Sequence, residues 1–124
     1  MNNREWRRLR GIAEYEVDRL LKRLPVPIRE RVTDIPVMFE PEPSEDLVAD
    51  GVDPDLMGLF VGESCGEPSS DPLPPEILLF LGNILDEADG DDAVYRREVR
   101  KTLLHEIGHY LGLNEDDLAL RDLE

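Results

Sequence analysis

The chain has 124 residues, 40% of them apolar and 35% charged, with a net charge of −15 at pH 7 and one cysteine, Cys65. That length fits one domain over residues 1–124, and the apolar share excludes a compositionally disordered chain. No apolar run reaches the length of a membrane span, one cysteine cannot form an internal disulfide, and the acidic balance is opposite to that of a nucleic-acid binder.

The charge is unevenly spread. Residues 1–33 carry nine Arg/Lys against five Asp/Glu, whereas residues 34–95 carry seventeen Asp/Glu and no Arg or Lys. The acidic stretch reads first as a solvated surface. Its functional alternative is attraction of metal ions or of a basic peptide. The N-terminal MNNREWRRLRG is charged and no apolar stretch follows it, so a secretory signal is not expected, and the expected location is cytoplasmic.

Residues 4–24 form the first predicted element, an amphipathic helix. Trp6, Leu9, Ile12 or Ala13, Val17, Leu20 and Leu24 recur at three- and four-residue spacing, and Pro25 and Pro27 end it. At this spacing Trp6 reads as core rather than as a ligand-stacking ring. Ile35–Phe39 reads as a short strand whose Pro36 marks a start or an edge. Residues 40–55, rich in Pro, Asp and Glu, read as a loop with room for one helical turn. Leu56–Gly62 (LMGLFVG) reads as a second strand, and Leu59–Gly62 as either an ordinary sheet strand or an exposed edge that pairs with an extended peptide. Residues 63–75 form a proline-rich loop in which Cys65 is an ordinary loop cysteine. Ile77–Leu81 (ILLFL) is the most apolar run and reads as a central strand, broken by Gly82 and Asn83. Residues 84–90 are a connection with room for a helical turn. The last element is a helix over 92–112, capped by Asp91 or Asp92 at its start and by Gly112 in a left-handed conformation at its end.

That last helix carries the chemistry. At roughly 100° per residue, Val99, Leu103, Ile107, Tyr110 and Leu111 share one broad side. His105 and His109 lie together on the other side, one turn apart, which is how a single helix offers two nitrogen donors to a metal. Glu106 lies beside them, suited to taking a proton from an activated water. The chain has only two histidines, and chance would produce HExxH from them on the order of once in 500 such sequences.

A catalytic zinc needs a third protein ligand. Gly112 allows a sharp turn, after which the sequence continues LNEDDL. Glu115 is the first candidate, Asp116 the second and Asp117 the third; the alternative is a plainly solvated acidic segment. For the oxyanion, Tyr95, Arg96 and Arg97 stand three turns before the histidines, too far to serve, and Tyr110 reads as core with a hydrogen-bonded hydroxyl. No residue clearly fills that role.

The segments LMGLFVGES, PPEILLFLGNIL and YRREVRKTLLHEIGHYLGLNEDDL together resemble the small zincin-like family of predicted bacterial metallopeptidases, whose helix reads His-Glu-x-x-His-x-x-Gly-x-x-Asp. The resemblance covers roughly residues 34–118. It implies an α+β, minimal zincin-like fold: a long N-terminal helix, a small mixed β-sheet of three to four strands, and a C-terminal helix carrying the metal site. It also implies zinc as cofactor, with His105, His109 and Glu115 at the ligand positions and Glu106 at the catalytic one. Glu115 stands where the family usually shows aspartate.

The expected function is hydrolysis of a peptide or protein substrate by metal-activated water with Glu106 as general base. The alternative is a metal-binding or protein-interaction module without catalysis on the same scaffold, for which zinc would add folding energy. Neither nucleic acid nor membrane is an expected partner. The sequence leaves the oligomeric state open.

Overall fold

A computed structural model of the chain describes residues 1–62 and 74–112. The first helix, α1 (Asn3–Arg23), starts where the Asn2 side chain accepts a hydrogen bond from the Glu5 N–H. Its apolar stripe is the expected one: Leu9, Ala13, Val17 and Leu20 are buried, and Trp6 is half-buried against the same core. The helix ends before Pro25, as expected. A second helix, α2 (Val26–Val32), begins there and was not expected from the sequence. Pro25 and Pro27 occupy its cap and first turn, where N–H groups have no intrahelical acceptor, so a missing N–H costs nothing. The Pro25 carbonyl still accepts from Ile28 and Arg29 at 3.0 and 2.9 Å.

Strand β1 (Val37–Glu40) follows, two residues later than expected, with Pro36 just before it. The acidic loop holds the one helical turn it had room for, α3 (Glu45–Ala49), capped by Ser44. Strands β2 (Gly58–Val61) and β3 (Glu76–Phe80) complete a three-stranded sheet in the order β1-β3-β2, parallel on the β1 side and antiparallel on the β2 side. Residues 77–80 of the apolar ILLFL run are therefore central, as expected, while Leu81 opens the next helix, and among the described residues β1 and β2 are edges. Of the loop 63–75, residues 63–73 lie outside the described residues.

The strand ends before Gly82 and Asn83, as expected, but helix rather than loop follows. Both residues sit in the first turn of α4 (Leu81–Glu87), which leaves β3 directly. The Gly82 N–H donates to the Pro41 carbonyl at 2.9 Å. The Asn83 side-chain amide donates to the Pro54 and Leu56 carbonyls at 2.8 and 2.9 Å, fastening the approach to β2. Residues that read as breakers act here as tertiary ties, which local propensity does not report.

Helix α5 (Asp92–Leu111) closes the described chain. Asp91 caps it through the Val94 N–H, and Gly112 ends it at φ +71°, a left-handed conformation that favours glycine. Cross-strand partners share a sheet face, and one face carries Gly58 and Phe60 of β2 with Leu79 and Ile77 of β3. Helices α1, α4 and α5 pack on one another, and α5 also covers β2 and β3. Ile77, Leu79, Ile84, Val99, Leu103 and Ile107 are each at most 1% exposed at their meeting point. The arrangement is the α+β fold expected: a long N-terminal helix, a small mixed sheet and a C-terminal helix. No described helix is long and apolar enough to cross a membrane.

Candidate metal centre

Most of the α5 surface between Thr102 and Gly108 is buried. Thr102, Leu103, Leu104, Glu106, Ile107 and Gly108 all pack inward, whereas His105 and His109 are exposed. The four-residue spacing thus leaves the helix one narrow open stripe, which runs through Lys101, His105 and His109. The two imidazole rings meet edge to face, their centroids 4.3 Å apart.

Glu106 behaves differently from the helix-face carboxylate that the sequence suggested. It is only 4% exposed, held between α5 and the sheet. Its Oε1 approaches Nδ1 of His109 at 3.3 Å. Ligand-type atoms of His105, Glu106 and His109 all lie within 4.8 Å of one another. A buried carboxylate is costly unless charge or hydrogen bonding compensates it, so its place beside two exposed imidazoles makes the three residues a candidate metal site. The donor chemistry fits zinc: two imidazole nitrogens one helical turn apart, with a carboxylate at hand. Glu115, Asp116 and Asp117, the candidates for a third ligand, lie outside the described residues, as does Cys65.

Beside the site runs β2. Its Phe60 ring packs against Tyr110, centroids 5.4 Å apart, one turn beyond Glu106. Tyr110 is half-buried against the core, close to its expected role. Gly58, two residues earlier on the same face, meets Thr102 and Glu106. The LMGLFVG segment carried this information only as a strand; the partner on α5 is tertiary and left no local signal.

At the other end of α5, Tyr95 is fully buried and donates its hydroxyl hydrogen to the Leu9 carbonyl at 2.9 Å. Burial pushes this phenol above its usual range. Arg96 and Arg100 reach across to Glu16 of α1 at 3.1 and 2.9 Å. Burial pushes the Glu16 carboxyl up, but the two arginines outweigh it and hold the group below the usual carboxylate range. These residues anchor α5 to α1 rather than serving the metal site. The Glu16 clamp was missed from the sequence, which offered no reading of Glu16.

A surface groove of about 660 Å³ lies on the far edge of the sheet between α1 and β1, lined by Trp6, Arg10, Phe39 and their neighbours. It holds none of the three site residues. Among curated proteins, none matches the chain. A family model described as zincin-like metallopeptidase matches residues 32–124, the span that holds the whole sheet, the HExxH helix and the acidic segment beyond Gly112. By that match, three-quarters of its length, the chain belongs to the zincin-like metallopeptidase family.

Proposed function

We propose that residues 1–124 form one zinc-dependent peptidase domain in which His105 and His109 hold the metal, Glu115 (or failing it Asp116) completes its protein ligands, and Glu106 is the general base. The observation that carries this reading is the buried Glu106 carboxylate beside two exposed imidazoles. When bound, zinc supplies Lewis-acid polarisation of a carbonyl and makes water a nucleophile near neutral pH. Glu106 takes the proton that the water sheds and returns it to the leaving amine, so no net proton is consumed by the enzyme. Its shelter from bulk water keeps the carboxylate oriented toward His109. The outer edge of β2 is the proposed docking line for an extended peptide, and among the described residues β2 has one strand neighbour, β3. The proposed setting is cytoplasmic and the proposed substrate a peptide or protein, with basic ones favoured by the net charge of −15.

A second reading is favoured by the grouping of Glu106 with both histidines within 4.8 Å. In it Glu106 is itself a ligand, and the metal stabilises a binding module without catalysis. One experiment separates the two. Zinc content is measured by elemental analysis on wild type, His105→Ala and Glu106→Gln, beside hydrolysis of a fluorescence-quenched peptide library. The peptidase reading expects one zinc per chain in wild type and in Glu106→Gln, none in His105→Ala, and hydrolysis in wild type alone. Loss of zinc from Glu106→Gln, with an inactive wild type, would establish the module instead.

A further inference from the structure

We propose that Gly58 is a positioning residue for Glu106: its missing side chain seats β2 against α5 and thereby fixes the carboxylate beside the imidazole pair. This rests on the reading of Glu106 as the proton-transfer group. Gly58 is not among the glycines with positive φ, so its backbone suits any residue. What distinguishes the position is close approach. A Cβ there would stand 2.5 Å from Cγ2 of Thr102, 3.2 Å from Cγ of Glu106 and 3.5 Å from the Leu78 carbonyl oxygen.

Of the three neighbours, neither Thr102 nor the Leu78 carbonyl yields easily. Thr102 is 8% exposed, and a β-branched side chain in a helix has few rotamers to escape into. Leu78 O belongs to the central strand. Gly58 itself is held in register opposite Leu79, with the Phe80 N–H donating to the Met57 carbonyl at 2.8 Å. Any side chain at 58 therefore pushes α5 away from β2 at the level of Glu106. His105 and His109 are exposed and are not among the three nearest neighbours of a Cβ at 58, and His109 meets that contact only through Glu106. Displacement is thus felt at the carboxylate before it is felt at the imidazoles.

The test uses the full chain, zinc-loaded and metal-free, as wild type, Gly58→Ala and Gly58→Ala/Thr102→Ser, with Gly11→Ala as a control at a glycine that has open space around it. The serine removes the methyl that clashes hardest but leaves the alanine Cβ against Glu106. Because the chain has two histidines, imidazole ¹⁵N spectra report His109 directly once His105→Ala assigns it. We expect Gly58→Ala to keep one zinc per chain, to move the His109 Nδ1 resonance in the metal-free chain, and to lower kcat about 100-fold with KM little changed. In the double variant the melting temperature returns to that of wild type, while the His109 signal and kcat stay displaced. A wild-type His109 signal in Gly58→Ala, zinc loss in that variant, or recovery of signal and kcat together with the melting temperature would each overturn the proposal. If Gly58→Ala does not fold, the double variant decides alone; its own failure to fold would make Gly58 a packing residue and end the idea. A zinc-loaded wild type that cleaves no peptide would refute the peptidase reading, and the His109 spectra would still decide the positioning.

Discussion

Glu16 is buried, acidic and on the opposite helix from its partners, so its side chain ties α1 to α5 through Arg96 and Arg100. Replacement by Gln keeps the shape and removes the charge. Both arginines retain contact with water, Arg96 at 40% side-chain exposure and Arg100 at 24%, so they are not left as buried orphans. The expected cost is about 1–3 kcal/mol, read from urea unfolding at pH 7. Its pH dependence has a definite sign. The folded-state carboxyl is lowered from its ordinary 4.5, so the stabilisation is fully present above that value. It is lost as pH falls through the lower folded value, because the unfolded chain takes up the proton first. The stability difference between wild type and Glu16→Gln should therefore be constant from pH 7 down to about pH 5 and shrink below it. A gap that widened on acidification would show that the clamp is not what holds this carboxylate. Converting Arg100 to Met should cost more than an exposed-pair deletion, since it weakens the compensation of a charge that stays buried.

Among the elements, α5 was the most legible. Asp91, the apolar periodicity, HEIGH and Gly112 all lie within one contiguous stretch, and each acts through local geometry that spacing alone encodes. Strand β3 was legible for the same reason: its four consecutive apolar residues, 77–80, belong at a sheet centre. Helix α2 was not legible, because Pro25 and Pro27, read as the end of α1, also open the next helix; α4 was legible only as a helical turn within 84–90, and its earlier start at Leu81 depends on ties from Gly82 and Asn83 to Pro41 and Pro54. The burial of Glu106 was hidden likewise, since it depends on β2 lying over the helix at a glycine. The end of α5 offers a prediction at this scale. Gly112 holds φ +71° and its N–H donates to the Gly108 and His109 carbonyls. An alanine there must adopt the left-handed region at a cost of about 1–2 kcal/mol. The chain leaves the helix at that residue on its way to Glu115. Gly112→Ala should therefore lower stability by that amount in urea and also weaken zinc affinity, measured by competition with a chromophoric chelator. Loss of stability with unchanged zinc affinity would argue that no ligand lies beyond Gly112.

For the whole molecule, the proposed metal is coupled to the fold through where the candidate site sits. His105 and His109 emerge from the helix that packs on α1, α4 and two strands, so ordering that helix and ordering the donors are one event. A metal bound by the folded chain alone stabilises it by RT ln(1 + [L]/Kd), which is about 2.7 kcal/mol at free zinc one hundred times Kd. For a domain of this size that corresponds to a rise of roughly 10 °C in melting temperature. Calorimetry in zinc buffers of increasing free concentration should show a logarithmic climb for wild type and a flat line for His105→Ala. Glu106→Gln discriminates further. Under the peptidase reading its curve follows wild type, because the carboxylate is not a ligand; under the module reading it falls toward His105→Ala. The net charge of −15 enters the same experiment. Self-repulsion destabilises the compact state, and a divalent cation relieves some of it without any specific site. Magnesium at matched concentration isolates that part, since it prefers oxygen ligands and leaves two imidazoles unclaimed. A magnesium shift as large as the zinc shift would mean that screening alone stabilises the chain. A zinc shift well above it, abolished by His105→Ala, ties the fold to the imidazole pair.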